Sequence, residues 1–123
     1  VNDEHQSVRI TWRIGLESPS FDFEEPVIKE ACRLGGGCSV TREIGYWIEG
    51  SDVPQFRYSG PVDREFCLTL IMTVPEHTAS RVMECMQSAI AQEARAKGIS
   101  TDWVHVEWER VTTRHFSIKK VRP

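Results

Sequence analysis

The chain has 123 residues, a length that suits one domain and is short for two. Hydrophobic residues make up 40% and charged residues 27%, with only 8 Gly and 6 Pro, which excludes a disordered or collagen-like chain. With 15 basic and 18 acidic residues the net charge is −3, so the chain lacks the positive field that nonspecific nucleic-acid or membrane-surface binding requires.

Val8, Ile10, Trp12, Ile14 and Leu16 alternate with Arg9, Thr11 and Arg13. This period of two predicts a first strand with one buried face. Asp22, with Glu25 three positions on, reads as a capping box, and Val27, Ala31 and Leu34 follow at helical spacing. A helix over about 23–34 is predicted, with Pro26 tolerated in its first turn and Gly35, Gly36 and Gly37 ending it. Val40, Ile44, Tyr46 and Ile48 share a parity broken by Arg42, the pattern of an edge strand.

Residues 49–64 then form a loop longer than a hairpin needs, a length common in binding or mobile segments. Phe66, Leu68, Leu70, Met72 and Val74 alternate with Cys67, Thr69, Ile71 and Thr73, so both faces of the third strand are expected to be covered, as in a central position. Pro75 stops it, and Thr78 is placed to cap a helix whose Val82, Met86, Ile90 and Ala94 keep a 3.6-residue period as far as Gly98. Val104, Val106 and Trp108 alternate with His105, Glu107 and Glu109 in a fourth strand. From Val111 to Ile118 the chain stays β-branched and has no turn residue. That run is expected to pair as a strand with its own sheet or with a neighbouring subunit; extended from Trp103 it would reach about 50 Å at ~3.3 Å per residue, so it is expected to bulge or to leave the parent sheet as an arm.

The element order β-α-β-β-α-β predicts an α+β, ferredoxin-like sandwich with both helices on one sheet face and strand order 4-1-3-2. The core is expected over about residues 7–110 of a single domain, followed by an arm over 111–123.

On the open sheet face, Arg9 and Arg13 of the first strand should face His105, Glu107 and Glu109 of the last. The plain reading is a set of cross-strand ion pairs. The catalytic reading is a polar pocket in which His105 or Glu107 is a general base and Arg13 clamps an anion. His5, His77, His105 and His115 show no ligand spacing, which assigns no metal site. Cys32, Cys38, Cys67 and Cys85 form no Cys-x-x-Cys pair and read as reduced thiols of a cytoplasmic protein. The longest apolar stretch, Phe66 to Val74, is far below the ~20 residues of a membrane span, and nothing resembles a signal peptide. Exposed aromatics are not expected on the central strands, which speaks against RNA recognition by the sheet face. The basic tail Lys119, Lys120 and Arg122 reads as a solvated end.

Gly37-Cys38-Ser39-Val40-Thr41, Gly45-Tyr46 before the long loop, and Val74-Pro75-Glu76 before the second helix resemble the PII-like signal-transduction family and the trimeric ferredoxin-like proteins around it. The chain departs from that pattern at Trp47, where the family carries a second glycine, and lacks a Gly-rich segment before the last strand. Both departures speak against adenine-nucleotide binding. The resemblance implies a homo-oligomer, a trimer before a dimer, with open sheet faces turned inward and the long loop available to ligands. The expected function is noncatalytic sensing of a small anionic ligand, or partner binding, through Gly36, Gly37, Gly50, Arg57, Tyr58 and Arg64, with no cofactor assigned. The alternative is a small enzyme of the dimeric α+β barrel type using His105, Glu107 and Arg13.

Overall fold

A computed structural model describes residues 3–100 and 103–122. In chain order it contains β1 (Asp3–Leu16), α1 (Phe21–Gly35), β2 (Ser39–Ile48), β3 (Val62–Pro75), α2 (Ala79–Ala96) and β4 (Val104–His115), with short 3-10 turns at Glu76–Thr78 and Ile118–Lys120. The four strands form one antiparallel sheet of order β2-β3-β1-β4 with both helices on one face, the ferredoxin-like α+β sandwich expected from the element order.

The alternation of β1 carries the core. Val8, Ile10, Trp12, Ile14 and Leu16 are buried beneath the helices, with Leu68, Leu70, Met72 and Val74 of β3 beside them. Phe23, Val27 and Ala31 of α1, with Val82, Met86 and Ile90 of α2, close the layer. Cys67 and Thr69 are buried from the opposite face, so β3 is covered on both sides, as expected of a central strand.

Several local expectations are corrected. The first helix begins at Phe21 with Ser20 as its N-cap residue, not at Asp22. Pro26 therefore stands in the second turn, where it withholds one helical hydrogen bond. Thr78 does not cap α2 through its side chain; its hydroxyl donates to the Pro75 carbonyl at 2.9 Å and closes the 3-10 turn. Gly36 does end α1, in the left-handed conformation that favours glycine (φ 80°), its N–H bonded to the Cys32 carbonyl at 2.8 Å.

The segment after Val111 does not leave the sheet as an arm. β1 starts at Asp3, earlier than the pattern shows, and its first residues pair with the end of β4: Ser7 with Val111, His5 with Thr113 and Asp3 with His115. Beyond His115 only the short turn at Ile118–Lys120 follows.

Arg42, which breaks the parity of β2, proves to be structural. Its Nε and Nη2 both reach Oε1 of Glu24 at 2.8 Å, and Glu24 is only 4% exposed. The second carboxylate oxygen, Oε2, accepts the Ser20 backbone N–H at 3.2 Å. One buried carboxylate thus satisfies a helix N-terminus and fastens the outer strand to α1. Replacing it, Glu24→Ala, should lower unfolding free energy in urea by about 2 kcal/mol, the worth of charge-assisted hydrogen bonds partly offset by rehydration of Arg42. Lys29→Ala, which breaks the exposed Glu25–Lys29 pair, should cost under about 0.5 kcal/mol.

Candidate functional site

Odd-numbered residues of every strand face away from the helices. Along the β1–β4 border this face carries cross-strand ion pairs, the plainer of the two sequence readings. Arg9 Nη1 meets Glu109 Oε1 at 2.9 Å and Arg13 pairs with Glu107, while Arg114 and Glu4 pair at the opposite, even-numbered parity. Their register follows from Arg9 lying opposite Glu109 and Thr11 opposite Glu107. Glu107 is fully exposed, and the hydrogen bond from Arg13, then its charge, holds the carboxyl below the usual glutamate range. His105 Nε2 lies 3.4 Å from the same oxygen of Glu107. A carboxylate already engaged by a guanidinium is a weak proton acceptor, so the geometry does not favour Glu107 as a base.

At the end of this face, where β1 and β2 finish and β3 and β4 begin, an open cleft of about 790 Å³ is formed. It joins residues from both sequence readings: Arg13 and His105 on one side, Gly50 and Arg64 on the other. Gly36 and Gly37 are not part of it. They precede β2 while Gly50 follows it, and ten strand residues at ~3.3 Å each separate the two ends by roughly 30 Å. Arg57 and Tyr58 stand apart from the cleft on the loop, where the Tyr58 hydroxyl oxygen accepts the Gln55 N–H at 3.3 Å. The loop is also shorter than expected, because β3 begins at Val62 and Arg64 is a strand residue opposite Tyr46.

The sequence reading missed Glu65 and Trp47, which stand at the centre of the cleft. Glu65 pairs with Gly45 on β2, and its carboxylate covers Gly15 of β1 so closely that a Cβ there would lie 2.2 Å from Oε1. Trp47 folds back over Gly45, where a Cβ would lie 3.1 Å from the indole nitrogen. Two strand glycines therefore make the room that a glutamate and an indole occupy. Desolvation raises the Glu65 pKa above the ordinary 4.5; the hydrogen bond from Trp47 draws it partly back, and the charge of Asp63 raises it further. The legible signal was Gly15 and Gly45 within strand patterns, a mark of close approach.

Charge defines what the cleft can hold. Five acidic residues line it, Glu17, Glu49, Asp52, Asp63 and Glu65, against Arg13 and Arg64, and Arg64 stands at the helix-side parity of β3, opposite Tyr46. Arg13 is already paired with Glu107. The lining therefore disfavours the small anion expected from the loop arginines and favours a cation. The indoles of Trp47 and Trp103 add flat apolar surface, and Ser100, whose hydroxyl donates to Glu17 at 3.2 Å, closes one side.

Neither Cys38 nor Cys67 is an activated thiol. Burial and the neighbouring Cys32, whose sulfur lies 3.9 Å away, push Cys38 up to about 11, and burial raises Cys67. Among the described residues no group of three or more His, Cys, Asp or Glu side chains is placed to hold a metal ion, and no helix is long and apolar enough to cross a membrane.

No protein-family model matches the sequence, and comparison with curated proteins finds no relative. Solved structures do resemble it. A Bacillus cereus protein related to NIF3 matches over 89% of this chain with a TM-score of 0.58 and 12% identity, and the match spans only 26% of that protein. A phage SAM lyase, solved in complex with S-methyl-5'-thioadenosine, matches over 92% of both chains with a TM-score of 0.52 and 16% identity. CutA from Synechococcus elongatus matches over 92% of this chain and 85% of its own, at a TM-score of 0.48 and 10% identity. At such identities the likeness is one of fold.

The glycine at position 15 gives a direct test of how Glu65 is held. In a carboxyl-carbon NMR titration, Glu65 should titrate above the ordinary glutamate range in the parent protein. Gly15→Ala, whose methyl group pushes the flexible carboxylate toward water, should bring it back down while the fold persists. Linkage has a definite sign. A raised folded-state pKa favours the folded protein at low pH, and that contribution is lost as pH rises from about 4.5 through the folded value. Glu65→Gln should therefore gain thermal stability relative to the parent as pH rises through that window, and show little difference below it.

Proposed function

We propose that this chain is a small-metabolite-binding protein, assembled as a homo-oligomer, whose ligand sits in the open-face cleft and is a cation bearing a flat ring. The observation that carries this reading is the cleft's lining, five acidic residues and two tryptophans against Arg13, which is already paired with Glu107. A sulfonium or ammonium centre is drawn to the carboxylates, and a planar base stacks on an indole. A nucleoside with a cationic side chain, of the S-adenosylmethionine kind, has both features and no phosphate for the acidic wall to repel. The SAM lyase of the same fold, bound to a methylthioadenosine, supports a ligand of this class.

Self-association rests on a different surface. The open sheet face offers little apolar driving force, because Cys67 and Thr69 are already buried within one chain. Apolar surface is instead exposed on the helix side of the β2–β3 hairpin, where Ile44, Tyr46, Val62 and Phe66 are 40–65% exposed, with Phe21 of α1 70% exposed. A cluster of this kind beside an unpaired strand edge suits a second copy of the chain, and a trimer is the preferred assembly.

A second reading, catalysis in the same cleft, is favoured by one observation: Glu65 is a partly desolvated carboxyl with a raised pKa. It would then hold or accept a proton beside the bound cation.

Native mass spectrometry tests these points together. The protein at micromolar concentration should appear as an oligomer, and S-adenosylmethionine should add its mass to each subunit while ATP does not. A monomer would overturn the assembly; equal retention of ATP, or no retention of S-adenosylmethionine, would overturn the ligand class. Recovery of the nucleoside unchanged indicates binding alone, and its cleavage, lost in Glu65→Gln, indicates an enzyme.

A further inference from the structure

The turn that joins α1 to β2 brings two thiols together. Cys32 lies in the last turn of α1 and is exposed, and Cys38 stands one residue before β2, half-buried against the core. Six positions apart in the chain, their sulfurs lie 3.9 Å from each other. Gly35, Gly36 and Gly37 make the reversal between them. Gly36 takes the left-handed conformation that folds the chain back, and a Cβ added at Gly36 or Gly37 would meet nothing within 4 Å. A glycine turn with open space around it can give by the amount that carries two sulfurs from 3.9 Å to the ~2.05 Å of a disulfide.

The position of the pair gives such a bond a consequence. β2 is an outer strand that bonds to β3 alone. Arg42 and Glu24 fasten it to the first turn of α1. Cys32 and Cys38 meet at the other end of the same helix, so a covalent bond there would tie the strand to α1 at a second point. The pair also stands at the far end of β2 from the acidic cleft, and nothing in its chemistry depends on what that cleft binds.

We propose that Cys32 and Cys38 form a reversible disulfide, made by exchange with a low-molecular-weight disulfide, that fastens the start of β2 to the end of α1. The Cys32 thiolate attacks one sulfur of the small disulfide, whose S–S bond breaks and releases one thiolate. The Cys38 thiolate then attacks the Cys32 sulfur of the mixed disulfide and expels the second. Each protein thiol gives up one proton, which the departing small thiolates take up; the protein pair loses two electrons and the small disulfide gains them. The order follows from exposure, since Cys32 is the sulfur that solvent reaches. Burial, and then the hydrogen bond and charge of Cys32, push Cys38 up to about 11, and the part due to Cys32 disappears once that thiol is held in the mixed disulfide.

Glutathione disulfide is the probe. After incubation the remaining thiols are alkylated and the protein is cut with trypsin, which cleaves after Lys29, Arg33 and Arg42 and so separates Cys32 from Cys38. Peptides 30–33 and 34–42 should be recovered as one linked species that dithiothreitol releases. The oxidised protein should keep a single-chain mass under denaturing, non-reducing conditions, and it should melt about 5 °C above the reduced form, the gain expected from closing a short loop in the unfolded chain. Cys38→Ala should stop at a glutathione adduct on Cys32, and Cys32→Ser should lose both the link and the melting shift. Thiols that stay reduced, glutathione retained on Cys32 of the parent protein, a link that joins two chains or uses Cys67 or Cys85, or an oxidised protein that melts no higher would each overturn the proposal. The peptide map and the melting comparison use the unsubstituted protein, so they decide the matter whether or not either variant folds.

Discussion

The two-sided alternation of β1 is the constraint on which the rest depends. It pairs with β3 on one edge and β4 on the other, so its residues from Ser7 to Ile14 are fixed in register by two neighbours. From Val8 onward its even positions are apolar and set the core, and its odd positions up to Arg13 are polar and set the open face. A shift of one residue would exchange these faces and bury Arg9 and Arg13, an outcome far costlier than the few kcal/mol by which small domains are stable. That register places Gly15 beside Glu65, Arg13 beside Glu107, and Trp12 in the core.

Each face then solves a different packing problem. On the helix side, α1 is held over the sheet by Glu24 and Arg42, while α2 leaves β4 partly bare. On the open side no layer covers the sheet, yet Cys67 and Thr69 are buried. Side chains of neighbouring strands shelter them, and ion pairs with long stems provide such cover while keeping their charges in water. Only where Gly15 and Gly45 remove that cover does the face open into a cleft.

The strands and helices were legible because period-two and period-3.6 patterns report which side of an element is buried, and that information is local. The errors arose where a partner distant in sequence decides the outcome. Residues 3–7 have no marked alternation and become strand because Val111–His115 lie beside them. Arg42 looked like an interruption tolerated at an edge because its partner Glu24 belongs to another element. Glu65 was missed for a related reason: the loop was drawn to residue 64, so the first residues of β3 had no assigned face, and a glutamate at the strand's start carried no sign that Gly15 lay beneath it. Conversely, Gly36 and Gly37 drew attention as a possible ligand nest, whereas Gly36 caps α1 at the far end of β2 from the cleft.

One sheet face holds two carboxyl groups whose environments drive them in opposite directions. Glu107 is bathed in water and clasped by Arg13, which stabilises its ionised form. Glu65 is partly withdrawn from water, and the charge of Asp63 opposes its ionisation. When carboxyls on one face separate in this way, the group that stays ionised serves as a fixed charge and the group that is raised can exchange a proton. A cation entering the cleft would reverse part of the second effect, since a positive centre near Glu65 favours its ionised form. Binding would then release a proton in the pH range where Glu65 is protonated in the free protein, and by linkage the affinity for the cation would rise with pH across that range. A neutral ligand of the same shape would lack that dependence, so the charge of the true ligand is written into the pH profile of its binding.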